Sequence, residues 1–424
     1  MKRIFLSAVG LAMICRMNVY AQSRRDTLRY KTPFAIAQSA ETDSVHFKPR
    51  KLHLDEIKFF SSYYSQNGSH SPVTAGIGTE KVTDIANGLT LNFVSTDQKQ
   101  NKNTLSLGLG IDFHSSASQA FVSKTGASQQ TGTRIYPSAD WTFESKKTGN
   151  TFGVGVYYSN EYNYSSTGGD LHYSLKTTNK NGELAVKLQG YFDKVSLIYP
   201  SEFVPPGTVP SVGAPDGTYG HKDNFGTSSR NTYTASFAYS QIVNSRLQVA
   251  FLADLVNQNG FLSLPFHRVH FSDGRDSIEK LPSARFKLPL GVRANYFLAD
   301  NIVLRSYYRF YTDDWGSAAH TMNLEVVYKI TPFLSVSPFF RYYTQTASKY
   351  FASYGAASPA QAYFTSNYAY AKFNSQFFGA GIRTAPPSGV LGWKGVHELE
   401  IRYGHYVQST ELTSNVVSLN VGFK

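Results

Sequence analysis

The sequence predicts an all-β protein, an antiparallel transmembrane β-barrel. Three observations in the 424 residues predict it: segments of alternating apolar and polar side chains, an apolar secretory segment at the start, and no later apolar run long enough for a spanning helix. Alternation indicates strands, because successive Cβ atoms leave opposite faces of a pleated backbone. In a bilayer every backbone N–H and C=O must be paired internally, so strands can cross only as a closed barrel.

Segment 103–115 shows the alternation most clearly. The apolar side chains of one face are Leu105, Leu107, Leu109, Ile111 and Phe113, and the other face carries Ser106, Gly108, Gly110, Asp112 and His114. One apolar and one polar face is typical of a barrel with lipid outside and water inside. A soluble sandwich or propeller also alternates, but it uses shorter strands, and the sequence has no blade-length repeat.

Residues 1–21 are predicted to be a secretory signal peptide. Lys2 and Arg3 give a positive head, residues 4–14 form the apolar stretch, and Ala21 ends a small-residue cleavage site. Cys15, the only cysteine, would leave with the signal, so disulfides and thiolate chemistry are not expected in the mature chain. A lipoprotein reading of Cys15 is disfavoured because Ile14 is too large for the preceding position. We therefore expect export to the outer membrane of a Gram-negative bacterium.

The remaining chain divides into two parts. Residues 22–53 are polar, basic and without alternation, which indicates a periplasmic N-terminal segment too short for a folded plug domain. Residues 54–424 form the predicted barrel, and long and short connections alternate along it. This alternation favours sixteen strands, with fourteen as the fallback if an early pair is a folded-in loop. The predicted strands are 54–66, 83–95, 103–115, 133–145, 150–163, 169–178, 182–195, 230–243, 246–257, 285–298, 301–313, 317–330, 333–346, 368–383, 394–407 and 413–424.

The lumen is predicted to be charged and hydrated. A charge facing lipid near the midplane costs roughly 2 to 4 kcal/mol, so charged strand residues should face inward. On this argument the best candidates for lumen or solute-binding residues are Arg293, Arg305, Arg309, Glu325 and Lys329. Two interpretations stay open: these charges form a structural network that braces the wall, or they line a weakly anion-selective constriction.

The net charge and its distribution also limit the classes of binding partner that we expect. The chain has 41 Lys and Arg against 29 Asp and Glu, a formal net charge of +12, but the excess is diffuse. Because no basic run is interleaved with aromatic residues, nucleic acid is not an expected partner. Expected partners are outer-membrane lipid and lipopolysaccharide, small solutes, and the assembly machinery that reads an aromatic residue near the C-terminus, here Phe423.

The densest polar group is Asp313, Asp314, Trp315 and His320, predicted to lie at an outer loop. Paired carboxylates beside a histidine could activate water, so these three titratable residues are the candidates for a catalytic site at the rim. The alternative is a tight turn in which Asp caps its own backbone and Trp315 suits a membrane interface. No HExxH, Gly-x-Ser-x-Gly or phosphate-binding loop occurs, so no metal and no cofactor are expected.

Several segments carry a family resemblance. They are EIKFFSSYYSQNG with VTAGIGTEKVTD at 56–84, SSAS at 115–118, RIYPS at 134–138, FYTDDWGSAAHT at 310–321, FFRYYTQTASKYF at 339–351 and YFTSNYAYAKFNS at 363–375. Together they resemble an uncharacterised family of Gram-negative outer-membrane β-barrel proteins, a domain of unknown function. The resemblance implies a fold and a location but no activity.

The first functional hypothesis is therefore a porin-like channel or solute-binding barrel. The alternatives are a hydrolase at the barrel rim and a surface-interaction barrel that acts through its long loops, 196–229 and 258–284. An enzyme is the less favoured class, because only the rim group suggests one.

Overall fold

A computed structural model describes residues 49–115, 131–161, 164–197, 199–203 and 226–424. The predicted signal peptide 1–21 lies outside the described residues, as does the predicted segment 22–53 apart from its last five residues. Most of the predicted connections 116–132 and 196–229 also lie outside them. No helix in the part of the chain that is described is long and apolar enough to cross a membrane.

Sixteen antiparallel strands form one closed barrel, as predicted. The barrel strands are β1 Arg50–Asn67, β2 Val82–Thr96, β3 Lys102–Ser115, β4 Thr131–Glu144, β5 Thr151–Glu161, β6 Tyr164–Lys176, β7 Gly182–Ser196, β8 Thr227–Ile242, β9 Leu247–Gly260, β12 Ala284–Ala299, β13 Ile302–Asp313, β14 Ala318–Thr331, β15 Leu334–Gln345, β16 Phe373–Thr384, β17 Val396–Gln408 and β18 Leu412–Phe423. Two short strands, β10 Arg268–His270 and β11 Asp276–Ile278, form a separate hairpin.

Each barrel strand pairs with its neighbours along the chain, and β1 pairs with β18 to close the cylinder. At the closing seam Tyr63 lies opposite Val417, and Phe59 lies opposite Val421. Closure leaves no edge strand among the sixteen, so every barrel strand is hydrogen-bonded to a neighbouring strand on each side.

The two ends of the barrel differ in their connections. The links β2–β3, β4–β5, β6–β7, β8–β9, β12–β13 and β14–β15 are short turns, and the chain ends of the barrel lie at this same end. We call it the short-turn end, and the opposite end, which carries the long connections 68–81, 261–283 and 346–372, the long-loop end. The predicted alternation of long and short connections is thereby confirmed.

Some strand boundaries differ from the prediction for local reasons. β16 begins at Phe373 rather than at residue 368, because the Asn367 side chain accepts a hydrogen bond from the Ala369 N–H at 2.9 Å. That cap starts a short 3₁₀ turn at Tyr368–Tyr370 instead of extended backbone. The hairpin of β10 and β11 has three residues in each strand and was not predicted.

The outer face of the barrel is apolar between two bands of tyrosine. In β3, Leu109 is 45% exposed and Phe113 is 51% exposed, whereas Asp112 on the other face is 1% exposed, which confirms the predicted alternation. Exposed tyrosines lie towards both strand ends, and their side chains share a partly apolar, partly polar character. Towards the long-loop end they are Tyr63, Tyr158, Tyr233 and Tyr342, and towards the short-turn end Tyr173, Tyr239, Tyr296 and Tyr328.

The connections 68–81, 261–283, 314–317 and 346–372 pack together at the long-loop end, and we call them the loop cap. Its buried side chains form two apolar clusters. One cluster contains Leu262, Leu281, Trp315 and Tyr370, and the other contains Val269, Phe271, Ala357 and Phe364. Both of these apolar clusters of the described residues therefore lie in the loops rather than in the barrel wall.

Candidate functional site

The polar strand face lines the inside of the barrel. Arg402 on β17 donates from Nη1 to Oε1 of Glu325 on β14, at 3.0 Å, although β15 and β16 lie between these strands. The Arg402 guanidinium also lies 5.2 Å from the centroid of the Phe339 ring on β15. Contacts that pass over intervening strands are short only on the concave side of a cylinder, so this face is the lumen.

Acidic side chains predominate on one wall of the lumen, formed by β2 to β6. They are Asp84, Asp112, Asp140 and Asp170, all of which share the inward-facing register. Asp112 accepts a hydrogen bond from the Tyr136 hydroxyl at 2.7 Å, and Arg134 lies 3.9 Å from its other oxygen. We call β2 to β6 the acidic wall.

Arginine predominates on the wall formed by β12 to β17, which we call the basic wall. Its inward-facing arginines are Arg285, Arg293, Arg305, Arg309, Arg341, Arg383 and Arg402, and they share this wall with Glu325, Glu398 and Glu400. β4 and β14 are separated by seven strands whichever way the barrel is followed. The two walls therefore face each other across the lumen.

The structure places the five lumen residues that the sequence predicted on the basic wall. Arg305 is paired with Glu325 at 3.9 Å, and the Arg293 guanidinium lies 5.8 Å from the Tyr307 ring centroid. Arg309 has a buried Nε without a hydrogen-bond partner among the described residues. Lys329 is exposed near the short-turn end. All five thus lie on the basic wall, and a solute-binding role for them stays a prediction.

The three rim candidates are not brought together. Asp313 is buried and accepts hydrogen bonds from Arg285 Nε at 3.0 Å and from the Tyr311 hydroxyl at 2.6 Å. His320 lies on the outer face of β14, where its Nδ1 is 2.8 Å from the Tyr308 hydroxyl. Asp314 is exposed on the connecting loop. Because Asp313 and His320 are on opposite faces of the wall, the geometry supplies no shared water-activation site.

The turn interpretation of the same segment is confirmed in one part and wrong in another. Asp313 Oδ1 accepts from the backbone N–H groups of Trp315 and Ser317, each at 3.0 Å, so the aspartate caps its own turn. Trp315 is 1% exposed and donates from Nε1 to the Ala284 carbonyl at 2.9 Å. It is a core residue of the loop cap rather than a membrane-interface residue, because the neighbouring loops fold over it.

The loop cap crosses the mouth of the lumen. The β1–β2 loop and the β9–β12 loop leave the barrel on opposite sides, with eight strands between them in either direction. Arg268 of the second loop nevertheless donates from Nη1 to the Val73 carbonyl of the first at 2.7 Å, and it also pairs with Glu202. In the first loop, His70 stacks on Tyr368 of the β15–β16 loop at 3.8 Å between ring centroids. Loops from opposite sides therefore meet over the pore.

Two buried carboxylates in the cap have shifted pKa values, in opposite directions. Burial raises the pKa of Glu80 to about 7. Burial also opposes ionisation of Glu279, but the His267 imidazole 3.6 Å away and hydrogen bonds from Thr365 and the Leu264 N–H outweigh it and hold the pKa of Glu279 below its usual value. Thr365 Oγ1 donates to Glu279 at 2.6 Å, which ties the β15–β16 loop to the β9–β12 loop.

Sequence reasoning missed two groups of lumen residues. Arg402 was not singled out, although its strand alternates and an arginine at an inward position was a usable signal. Asp140, Asp170 and His172 were also missed, and the structure brings candidate ligand atoms of all three within 4.8 Å of one another. The pair Asp170 and His172 is visible in the sequence as two inward positions of one strand, but Asp140 joins them only through the barrel register.

Comparison with solved structures finds bacterial outer-membrane proteins at low similarity. OccK9 (OpdG) of Pseudomonas aeruginosa is 9% identical over 88% of this chain and 98% of that chain, with a TM-score of 0.41. The outer membrane protein OprD of Pseudomonas aeruginosa is 8% identical over 88% and 94%, with a TM-score of 0.42. A BenF-like porin of Pseudomonas fluorescens Pf-5 is 8% identical over 89% and 98%, with a TM-score of 0.41.

No curated protein matches the sequence. Residues 127–416, more than half of the chain, match the model of a family described as a protein of unknown function, DUF3570. This match agrees with the resemblance to an uncharacterised family that the sequence segments carry. The chain belongs to the DUF3570 family of unknown function.

Proposed function

We propose that this protein is a channel of the Gram-negative outer membrane that passes small hydrophilic solutes. Export is supported by the predicted signal peptide, and membrane insertion by the apolar outer face between two tyrosine bands. Tyrosine suits the headgroup level because its ring is apolar and its hydroxyl is polar. The lipid and lipopolysaccharide expected as partners would contact this outer face.

The observation that carries the proposal is the separation of charge across the lumen. Acidic and basic walls that face each other create a transverse field, and a water-filled passage between them is favourable for polar solutes. A packed structural core would instead fill the interior with apolar side chains. The interior of the described strands is lined by ion pairs and hydrogen bonds such as Arg402 to Glu325 at 3.0 Å.

The basic wall supports a preference for solutes with an anionic group. Arg305 is 38% exposed at its side chain, so its guanidinium is open to the lumen while it remains 3.9 Å from Glu325. Arg309 adds a second guanidinium to the inward face of the same strand. Arginine suits carboxylate or phosphate groups because its planar fork can donate two parallel hydrogen bonds.

The loop cap would set the size limit of the channel. Loops that meet across the mouth narrow the entrance, and the Arg268 contacts with Val73 and Glu202 hold them there. We therefore expect passage of small solutes and exclusion of larger ones.

Proteoliposomes test the proposal. Purified protein should give faster uptake of a small carboxylate than of an uncharged or amine solute of equal size. The double variant Arg305→Gln and Arg309→Gln should remove this preference, because it removes two lumen cations. Arg246→Gln, on the exposed β8–β9 turn, is the matched control and should keep the preference.

Liposomes that take up none of these solutes above protein-free controls would contradict the channel. Equal uptake by the double variant and the wild type would assign the arginines to bracing of the wall instead.

A further inference from the structure

Three potential metal-ligand atoms converge on the acidic wall, away from the arginines of the proposed solute path. His172 Nδ1 lies 3.0 Å from Asp170 Oδ1 and 3.8 Å from Asp140 Oδ2. Asp140 comes from β4, and Asp170 and His172 come from β6. Such a set of one imidazole nitrogen and two carboxylate oxygens is a ligand set used by protein-bound zinc.

Each of the three side chains is oriented by a second group. Asp170 uses its other oxygen, Oδ2, to accept from the Tyr157 hydroxyl and to pair with Lys187 at 3.3 Å. Asp140 uses Oδ1 to accept from the Thr142 hydroxyl at 3.0 Å. These contacts leave Asp170 Oδ1 and Asp140 Oδ2 directed towards the imidazole.

Hydrogen bonds orient both ring nitrogens of His172. Nε2 lies 3.0 Å from the Thr142 hydroxyl, which itself lies 3.0 Å from Asp140 Oδ1. Nδ1 lies at hydrogen-bond distance, 3.0 Å, from Asp170 Oδ1. A metal ion bound to Nδ1 and the two carboxylates would take the place of the proton in the Nδ1–Asp170 contact, while Nε2 keeps its contact with Thr142.

Two glycines on the intervening strand make room for this arrangement. A Cβ atom at Gly153 on β5 would lie 2.1 Å from His172 Nε2, and one at Gly155 would lie 2.3 Å from Asp170 Oδ2. Any larger residue at either position would displace the histidine or the aspartate. Side chains of β4 and β6 can therefore meet above β5 only because these positions lack a side chain.

We propose that Asp140, Asp170 and His172 form a binding site for a divalent transition-metal ion, with Zn²⁺ as the probe. Zinc bonds of about 2.0 to 2.2 Å in tetrahedral geometry place neighbouring ligand atoms roughly 3.3 to 3.6 Å apart. The distances of 3.0 and 3.8 Å from His172 Nδ1 to the two carboxylate oxygens lie on either side of that range. Calcium fits poorly, because it takes six to eight oxygen ligands.

Access and charge agree with such a site. The Asp140 side chain is 33% exposed and the His172 side chain 22% exposed to the lumen, whereas Asp170 is fully buried. A fourth ligand position therefore opens to water. The two carboxylates and the Lys187 ammonium together carry one net negative charge, which favours a dication.

Zinc titration of the purified, chelator-treated full-length protein in detergent tests the proposal. We expect one zinc ion per chain, measured by competition with a chromophoric chelator. His172→Gln and Asp140→Asn should each reduce zinc affinity more than tenfold. Thr142→Val, which removes only the orienting hydroxyl, should weaken it by about 10- to 100-fold. Cobalt bound in place of zinc should give the visible absorption of a tetrahedral centre.

Matched controls separate this site from adventitious binding. His405→Gln removes a histidine of the outer face, and Asp254→Asn removes a carboxylate of a different lumen strand, so neither should change zinc affinity. Heat-modifiable gel mobility confirms that each variant forms the barrel. A folded wild type that binds no stoichiometric zinc, or folded His172 and Asp140 variants that bind it unchanged, would overturn the proposal.

Discussion

At the scale of single residues, we expect the same substitution to have a large effect at one tryptophan and little effect at another. Trp315 is 1% exposed within the loop cap, and the Arg285 guanidinium lies 4.4 Å from its ring centroid. Trp393, on the β16–β17 connection, is 74% exposed. Removing a large buried aromatic side chain costs about 3 to 5 kcal/mol, whereas removing an exposed one costs little.

We therefore expect Trp315→Ala to open the loop cap. Its local opening should become about 100-fold or more frequent, and limited proteolysis within 346–372 should accelerate accordingly. Trp393→Ala is the control and should be cleaved like the wild type. Unchanged cleavage of a folded Trp315→Ala protein would mean that the cap does not depend on this core.

We expect the stability of the β1–β2 loop to depend on pH because of Glu80. The side chain is 8% exposed, and burial raises its pKa from 4.5 to about 7. Because the folded pKa lies above the unfolded one, the stabilising contribution is complete below pH 4.5 and is lost as pH rises through about 7. The loss is on the order of 3 kcal/mol.

Hydrogen exchange of residues 68–81 measures this effect. After correction for intrinsic rates, protection should be greater at pH 5 than at pH 8. Glu80→Gln should be protected equally at both values, because it cannot ionise. A wild type whose loop is equally protected at both pH values would show that Glu80 is not held in its neutral form.

At the scale of elements, alternation made the strands predictable. Period two identified all sixteen barrel strands, since one face had to be apolar and the other polar. Boundaries were less accurate where a side chain competes for the backbone, as Asn367 does before β16. The loop cap could not be predicted, because its contacts, such as Arg268 with Val73, join segments that have no periodicity and lie far apart in sequence.

The same alternation predicts that adjacent positions of β14 respond differently to charge. Leu324 is 48% exposed on the outer face, and Asn323 is its inward-facing neighbour. Leu324→Arg should lower the free energy of unfolding in lipid vesicles by roughly 2 to 4 kcal/mol, whereas Asn323→Arg should change it much less. Denaturant titration in vesicles measures both, and equal losses would contradict the assigned faces.

Within the basic wall, we expect removal of the Glu325 charge to change the ion selectivity of the channel in a defined direction. Its carboxylate pairs with Arg402 at 3.0 Å and with Arg305 at 3.9 Å, so it offsets part of their positive charge. Glu325→Gln should therefore shift the reversal potential in a salt gradient towards anion selectivity. Arg402→Gln removes a positive charge instead and should shift the reversal potential towards cation selectivity. If both variants shifted the reversal potential in the same direction, these charges would not set the selectivity of a conducting lumen.

At the scale of the whole molecule, the sequence predicted more of the fold than of the site. The charged interior followed from strand alternation, and Arg305, Arg309 and Glu325 were predicted as lumen residues. Asp140 and His172 were not connected, because their meeting depends on the register of β4, β5 and β6 and on the space at Gly153. The rim group Asp313 and His320 looked close in sequence, but a strand places them on opposite faces.

We propose that the closed barrel encloses a hydrated, charge-separated passage beneath its loop cap, and single-channel recording in planar lipid bilayers is the sharpest test of that passage. We expect discrete current steps of uniform size, which appear only when the protein is added. A protein that inserts, as judged by its protection from added protease, and yet carries no current above the bare bilayer would show that the barrel encloses no conducting passage.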